Sequence, residues 1–363
     1  VTSGFLGFRR SLLGFLGFFA ILAVIGVLKV TASFIQPFAI ALLLSFIFNP
    51  LVEFFVKIRI PRIIAVLIVL IMLLGISLVL GLILYQSFQS IVAEYGKYQA
   101  RFLSLVNFLT TEFNLPPNLI STSEITRTVA GILVNISGGF IGILGNVAVT
   151  LVFLLFIMME KPFMKKKLRE AFKHERTERI GVVFNGMNRQ VSRYIIIKTI
   201  VSLLTGVIVY IGFSLVGLDF PFVWGVLTVL FNFMPTIGSI LISGITTAFA
   251  VIQFFPNWNS AILAASVMIL TQLLIGNILD PKLTGDSLNL SPVVILLALL
   301  LWGWLWGTSG LFIAVPLTVA MKITFENIPG LEFLGIFMGT GALPPSRPVI
   351  FQENEGIDSS FGS

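Results

Sequence analysis

The chain has 363 residues, 57% of them hydrophobic and only 11% charged, with 35 phenylalanines and a mean hydropathy of +1.04. A soluble domain carries about 25% charged residues, so the composition excludes a soluble protein or a soluble domain on one anchor, and it describes an all-α polytopic membrane protein. The lack of cysteine excludes disulfides, thiolate metal sites and cysteine catalysis, and the net charge of +7 is local, because ten of the 23 Lys and Arg lie between Lys161 and Arg193.

Arg9 and Arg10 precede an apolar run over residues 11–28. It is long enough to span and ends without an Ala-x-Ala-like site, so it reads as a first span rather than a signal peptide. Residues 33–55 and 63–85 read as the second and third spans, with Lys57, Arg59 and Arg62 between them. By the positive-inside rule this puts the N-terminus in the cytoplasm. Residues 1–86 therefore hold three spans.

Residues 87–137 are polar and balanced in charge, with Glu94, Glu112 and Glu124 against Lys97, Arg101 and Arg127, and they read as a small helical external domain. Tyr95, Tyr98, Phe102, Leu105, Phe108 and Leu109 recur at helical spacing until Asn114-Leu-Pro-Pro117 stops the helix. A second helix is expected from Ser123. Gly138 and Gly139 open a fourth span over 138–160, and the basic segment 161–193 reads as a solvated helix near anionic headgroups rather than a nucleic-acid site.

Residues 194–328 form the expected transport core. After a fifth span over 194–216, the run 222–233 has only about a dozen residues, which rise about 18 Å against a hydrocarbon core of about 30 Å. Pro235, Thr236 and Gly238 then precede a second run over 237–254, so a re-entrant hairpin with Asn232 near its turn is favoured over a solvated loop. Residues 261–278 cross inward, carrying Gln272 and Asn277, which at five residues apart should lie on differing faces of an α-helix, and Lys282 lands on the cytoplasmic side. The runs 290–306 and 310–323 form a second broken pair, joined through Gly303, Gly307, Thr308 and Gly310, with opposite topology to the first. In all, about seven to eight membrane helices are expected. Residues 329–363 read as a cytoplasmic tail, partly disordered, with a docking strand or peptide as the alternative.

Several chemistries can be weighed. No Gly-x-x-x-x-Gly-Lys-Ser/Thr occurs, so this chain hydrolyses no ATP through a P-loop. Gly307-Thr-Ser-Gly310 matches an intramembrane serine-protease setting, but the single histidine, His174, sits in the basic segment, so no enzyme is expected. Asp280 and Asp286 flank a loop containing Pro281 and Gly285. Asp280 reads as an ion- or proton-coupling group, as a contact holding a cytoplasmic gate, or as a capped helix end. Trp302, Trp304 and Trp306 read as an interfacial belt or packing, with a substrate-stacking surface as the alternative. No cofactor, metal or nucleic acid is expected.

The ordered segments Phe233-Met-Pro-Thr-Ile-Gly238, Gly276-Asn-Ile-Leu-Asp-Pro-Lys-Leu-Thr-Gly285, Leu290-Ser-Pro292, Leu301-Trp-Gly-Trp-Leu-Trp-Gly307 and Ala314-Val-Pro316 resemble the AI-2E family of transporters. The resemblance implies a bacterial inner-membrane protein that is oligomeric and belongs to a family linked to export of the quorum-sensing signal autoinducer-2. Other members resemble sodium or proton antiporters. The leading expectation is therefore a secondary transporter moving a small polar solute outward. The alternatives are a cation/proton antiporter using Asp280 or Asp286, and an oligomeric pore or scaffold. Asn232, Gln272 and Asn277 are the expected solute contacts. Pro235, Thr236, Gly238, Pro281, Pro292, Gly303 and Pro316 are expected along the path or its hinges.

Overall fold

The computed structural model describes residues 15–17, 19–20, 22–114, 116, 122–171, 174–284, 289–328 and 330–340, and among these there is no β-strand. Helix α1 covers Phe15–Val30, α2 Ala32–Lys57 and α3 Arg62–Ala93. The α2–α3 turn is tight, with Arg59 at φ 70° and Pro61 just before α3, where a missing N–H costs nothing. α4 is Tyr95–Glu112 and α5 runs over Thr122–Ala171. Ala41 and Val52 of α2, Ala65, Val66 and Val69 of α3, and Leu154 and Met158 of α5 make one buried cluster. On its outer face α3 exposes Ile71, Val79 and Leu82, which suits hydrocarbon rather than water.

At 50 residues α5 rises about 75 Å, far more than a bilayer core. It passes unbroken through Gly138 and Gly139 and through Pro162. The two glycines expected to separate an external helix from the fourth span cost only about 1 kcal/mol each in a helix, too little to break one this long. α6, His174–Val216, is likewise 43 residues long, so much of the basic segment continues two membrane helices rather than forming a separate unit.

The chain reverses direction where the first hairpin is expected. α7 is Pro221–Asn232 and α8 is Ile237–Phe254. The reversal places Thr236 at φ 63°. It is so tight that a Cβ on Gly238 would overlap the Phe231 carbonyl oxygen. α7 lies close along α6, where a Cβ on Gly206 or Gly225 would come within 2.8 Å of the other's carbonyl oxygen, the small-residue contact expected of helices in lipid. α9, Trp258–Thr271, continues through a π-helical stretch, Gln272–Leu279, into α10, Asp280–Thr284.

α11, Pro292–Asn327, has 36 residues, yet Gly307 sits at φ 63° and ψ −141°, outside helical space. A straight helix of that length would run about 54 Å. Instead the chain folds back, because a Cβ on Gly310 would overlap the carbonyl oxygen of Trp302. By length and composition seven helices among the described residues could cross a membrane, α11 included, but α11 is a second hairpin with antiparallel arms. Its feet, Leu290, Val319 and Ile323, pack on Val191, Tyr194 and Ile195 at the basic end of α6. Its tip reaches the α1–α2 junction, where Trp306 Nε1 donates to the Leu28 carbonyl at 3.0 Å. Hairpin one has the reverse sense, with feet at Phe220 and Phe254 and Met234 at its tip, inside the same buried cluster as Trp302, Leu305 and Trp306. Each turn is flanked by buried residues, Met234 and Gly238 at the first and Trp306 and Gly310 at the second, while Thr236, Gly307 and Thr308 stay exposed.

Trp302 and Trp306 pack with ring centroids 4.9 Å apart in that cluster. They serve as packing rather than as an interfacial belt. Trp304 is exposed, with Lys29 Nζ 3.9 Å from its ring centre. Lys322 is buried and paired with Glu326 at 3.3 Å. The first part of the tail docks as a helix rather than a strand: α12, Glu332–Phe337, returns to the foot of α11, where Ser291 N donates to the Met338 carbonyl at 2.9 Å. Residues 341–363 lie outside the described residues.

Candidate functional site

The π-helical stretch builds the site. Its i→i+5 bonding widens the turn, so residues five apart align instead of diverging. Gln272 and Asn277 accordingly line one cavity and do not lie on differing faces. The cavity has a volume of about 610 Å³ and lies between the tip of hairpin one, the end of α9 and the middle of α6. Asn232, Pro235, Thr236, Gln272, Asn277, Asp280 and Pro281 all border it.

Gln272 is 8% exposed, and its Oε1 has no hydrogen-bond partner among the described residues. Its Nε2 reaches only the sulfur of Met268, at 3.9 Å, a weak acceptor. A buried amide oxygen left unpaired costs about 1–3 kcal/mol. Asn232, on the last turn of α7, is also 8% exposed.

At the floor of the cavity Lys198 Nζ is bonded to Asp280 Oδ2, with side chains 7% and 19% exposed. The pair cancels its own charge, so the cavity offers dipoles rather than a net field. Sequence reasoning missed Lys198, although a lysine set within the apolar run of α6 is itself a signal, since ionisable groups at membrane depth are expensive and face a partner or a cavity. It also missed Ser239 and Ser243, which line the cavity from α8. Their spacing from Thr236, at i+3 and i+7, is the helical stripe that could have found them.

The residues expected along hairpin two do not border this cavity. Pro292 opens α11, Gly303 packs against Leu311, Gly307 and Gly310 make the reversal, and Pro316 is buried within the return arm. Thr308 is exposed at the tip. Gly285 and Asp286 lie outside the described residues.

At the far end of the molecule α4 is tied to the feet of hairpin one. Tyr98 OH donates to Asp219 at 2.7 Å, and Lys97 bridges Glu94 at 2.8 Å and Asp219 at 3.0 Å. Hydrogen bonds to Glu94 and then Asp219 raise the Lys97 pKa, while burial, reinforced by Asp219, pushes the Tyr98 hydroxyl up. Gln253 binds across the same corner: its Oε1 accepts from Asp219 N at 2.8 Å and its Nε2 donates to the Gly217 carbonyl at 3.0 Å. Arg101 donates to the Gln253 carbonyl.

Beneath that corner lies a larger cavity of about 940 Å³ between α3, α4, α5, α7 and α8, walled almost wholly by aliphatic and aromatic side chains. Size alone would nominate it, but its walls offer little for recognising a polar solute, whereas the smaller cavity is lined by the amides of Asn232, Gln272 and Asn277.

Two opposed hairpins meeting beside a polar cavity suit a transporter, and comparison with known proteins agrees. Residues 17–330 match the family described as AI-2E family transporter. The chain belongs to the AI-2E family. A relative in Borreliella burgdorferi, provisionally named a transport protein, is 32% identical over 319 residues, covering 88% of both chains. YhhT of Escherichia coli strain K12, also provisionally named a transport protein, is 30% identical over 90% of this chain and 94% of its own. The AI-2 transport protein TqsA of the same strain is 27% identical over 86% and 91%. As an AI-2E family member this chain is a multi-pass membrane transporter of the permease kind, working on a small solute in a lipid bilayer.

Proposed function

We propose that this AI-2E protein moves a small, neutral, polar solute outward across the bacterial inner membrane, without hydrolysing ATP itself. The carrying observation is the buried, unpaired Oε1 of Gln272 beside Asn232, Ser239 and Asn277 in a cavity whose two charges neutralise each other. A hydroxyl group would satisfy that oxygen. Autoinducer-2 is the first solute to test, because TqsA is named for it. In this reading both termini lie in the cytoplasm and the working form is a homo-oligomer. The cavity then lies toward the cytoplasmic side, and transport follows from movement of the two hairpins and α9 against α1–α6.

Cation/proton exchange through Asp280 is less well supported, because Lys198 already holds that carboxylate. Flux in proteoliposomes separates the readings. Efflux of a hydroxylated solute above empty vesicles, cut about tenfold by Gln272→Leu for the loss of one good hydrogen bond, is expected. Sodium uptake driven by a pH gradient and abolished by Asp280→Asn would instead make the protein an antiporter. Movement of neither solute nor cation would favour an oligomeric pore or scaffold.

A further inference from the structure

The apolar cavity of about 940 Å³ is a slot with two facing walls. On α3 the wall is Ser77, Leu80, Leu84, Phe88 and Ile91, a single helical stripe; on α7 it is Val223, Trp224, Leu227 and Leu230. From Ser77 to Ile91 the stripe rises about 21 Å, somewhat more than the roughly 15 Å of one hydrocarbon leaflet. The slot is not sealed, since Leu80, Val129 and Leu230 on its rim are 37%, 42% and 41% exposed.

Its polarity changes along its length. Apart from Ser77 at the opposite end, the walls at span depth are apolar, and the other polar lining groups gather where α3 leaves its span, at Tyr95, Tyr98, Gln99 and Thr126. There α4 crosses from α3 to the feet of hairpin one and roofs the slot, held by Tyr98 on Asp219 and by Tyr95 OH donating to the Thr126 carbonyl at 2.8 Å. Water does not fill a space walled by Leu, Val and Phe. A membrane helix from a second copy would have to continue past the roof. The fitting occupant is one that is apolar over a leaflet's depth, ends at the interface, and is abundant wherever this protein works.

We propose that the slot is a phospholipid-binding site, with acyl chain between α3 and α7 and headgroup at the Tyr95–Gln99 rim. The assignment does not depend on which solute the protein carries. Hairpin one is then separated from α3 by hydrocarbon rather than by interlocked side chains, while its other side stays packed on α6.

The test uses the wild-type protein in liposomes doped with a phospholipid whose acyl chain bears a photoactivatable diazirine, with adducts mapped by peptide mass spectrometry. Adducts on the inner wall, at Trp224, Leu227 and Phe249, are expected alongside those on the outer belt at Ile71 and Leu82. Filling the slot with Val223→Phe and Leu227→Phe should reduce the remaining inner adducts at least fivefold and leave the belt adducts unchanged. Adducts confined to the belt in the wild type would overturn the proposal. So would inner-wall peptides cross-linked to a second copy of the chain, or inner adducts that persist at full yield in the filled variant.

Discussion

Hairpin one and hairpin two use the same closing device and put it to different ends. In each, a glycine sits against the carbonyl oxygen of a residue on the outgoing arm, Gly238 on Phe231 and Gly310 on Trp302. Around the first turn the lining includes Asn232, Thr236, Ser239 and the Lys198–Asp280 pair. Around the second it is Leu305 with Trp302 and Trp306, which also fasten to the α1–α2 junction. One tip borders a polar cavity; the other buries Trp302, Leu305 and Trp306 against the α1–α2 junction while leaving Gly307 and Thr308 exposed. Hairpin two is tied to the α1–α2 junction, whereas hairpin one brings polar side chains to a cavity and faces α3 across hydrocarbon-sized space.

The shared device can be broken directly, and this should produce the largest effects. Gly238→Ala or Gly310→Ala forces a Cβ onto backbone that cannot move aside, at a cost above about 3 kcal/mol each. Either should collapse the yield of monodisperse protein on size exclusion in detergent. Equal loss at both would support matched turns, while tolerance at Gly310 alone would mean that hairpin two can open.

The next effect sharpens the contrast in polarity. Lys198→Ala removes the cation bonded to the partly buried Asp280 carboxylate and should destabilise by about 3 kcal/mol, the low end for a buried pair because Asp280 keeps some exposure. Adding Asp280→Asn should restore most of the lost thermal stability. Failure of the double variant to recover would show that the pair acts through its geometry rather than its charge.

Thr236 stands at φ 63° and ψ −56°, an unusual place for a β-branched residue. Thr236→Gly should raise stability by roughly 1 kcal/mol by relieving that strain. If flux falls while the melting temperature rises, the strained turn belongs to the working cycle. If both rise, Thr236 is only a tight corner.

The smallest effect is expected at the Lys97–Asp219 corner, where Lys97 is half exposed to solvent. Lys97→Ala should cost well under 1 kcal/mol, and less still in high salt. Its folded pKa is raised above 10.5, so the contribution is complete below that value and is lost only as the pH climbs through the folded one. Melting curves of wild type and variant should therefore run parallel through the neutral range and converge only in strong alkali.

Much of this was legible in the chain. The ends of α7 and α8 follow from an apolar run too short to span and from the Pro235–Gly238 punctuation, and the second broken pair follows from Gly303 to Gly310. Asn232, Gln272, Asn277 and Asp280 could be nominated because a polar group in an apolar run needs a reason to be there. What misled was local geometry. Gly138 and Gly139 look like a break but cost too little to make one, and α-helical spacing puts Asn277 and Gln272 on differing faces where the chain adopts a π-turn instead.

The sequence by itself therefore determined a helical membrane protein of the AI-2E family, where its apolar runs stop, and which residues could form a site. These are properties of consecutive residues: hydropathy, helix breakers and local spacing act over a few turns. The tertiary structure alone decided that Lys198 meets Asp280 from 82 positions away, that the tryptophans are buried, and that α3 and α7 face each other across open space. Each depends on how two helices lie side by side, and in lipid that is set by close packing and polar pairing between distant segments rather than by how apolar either segment is.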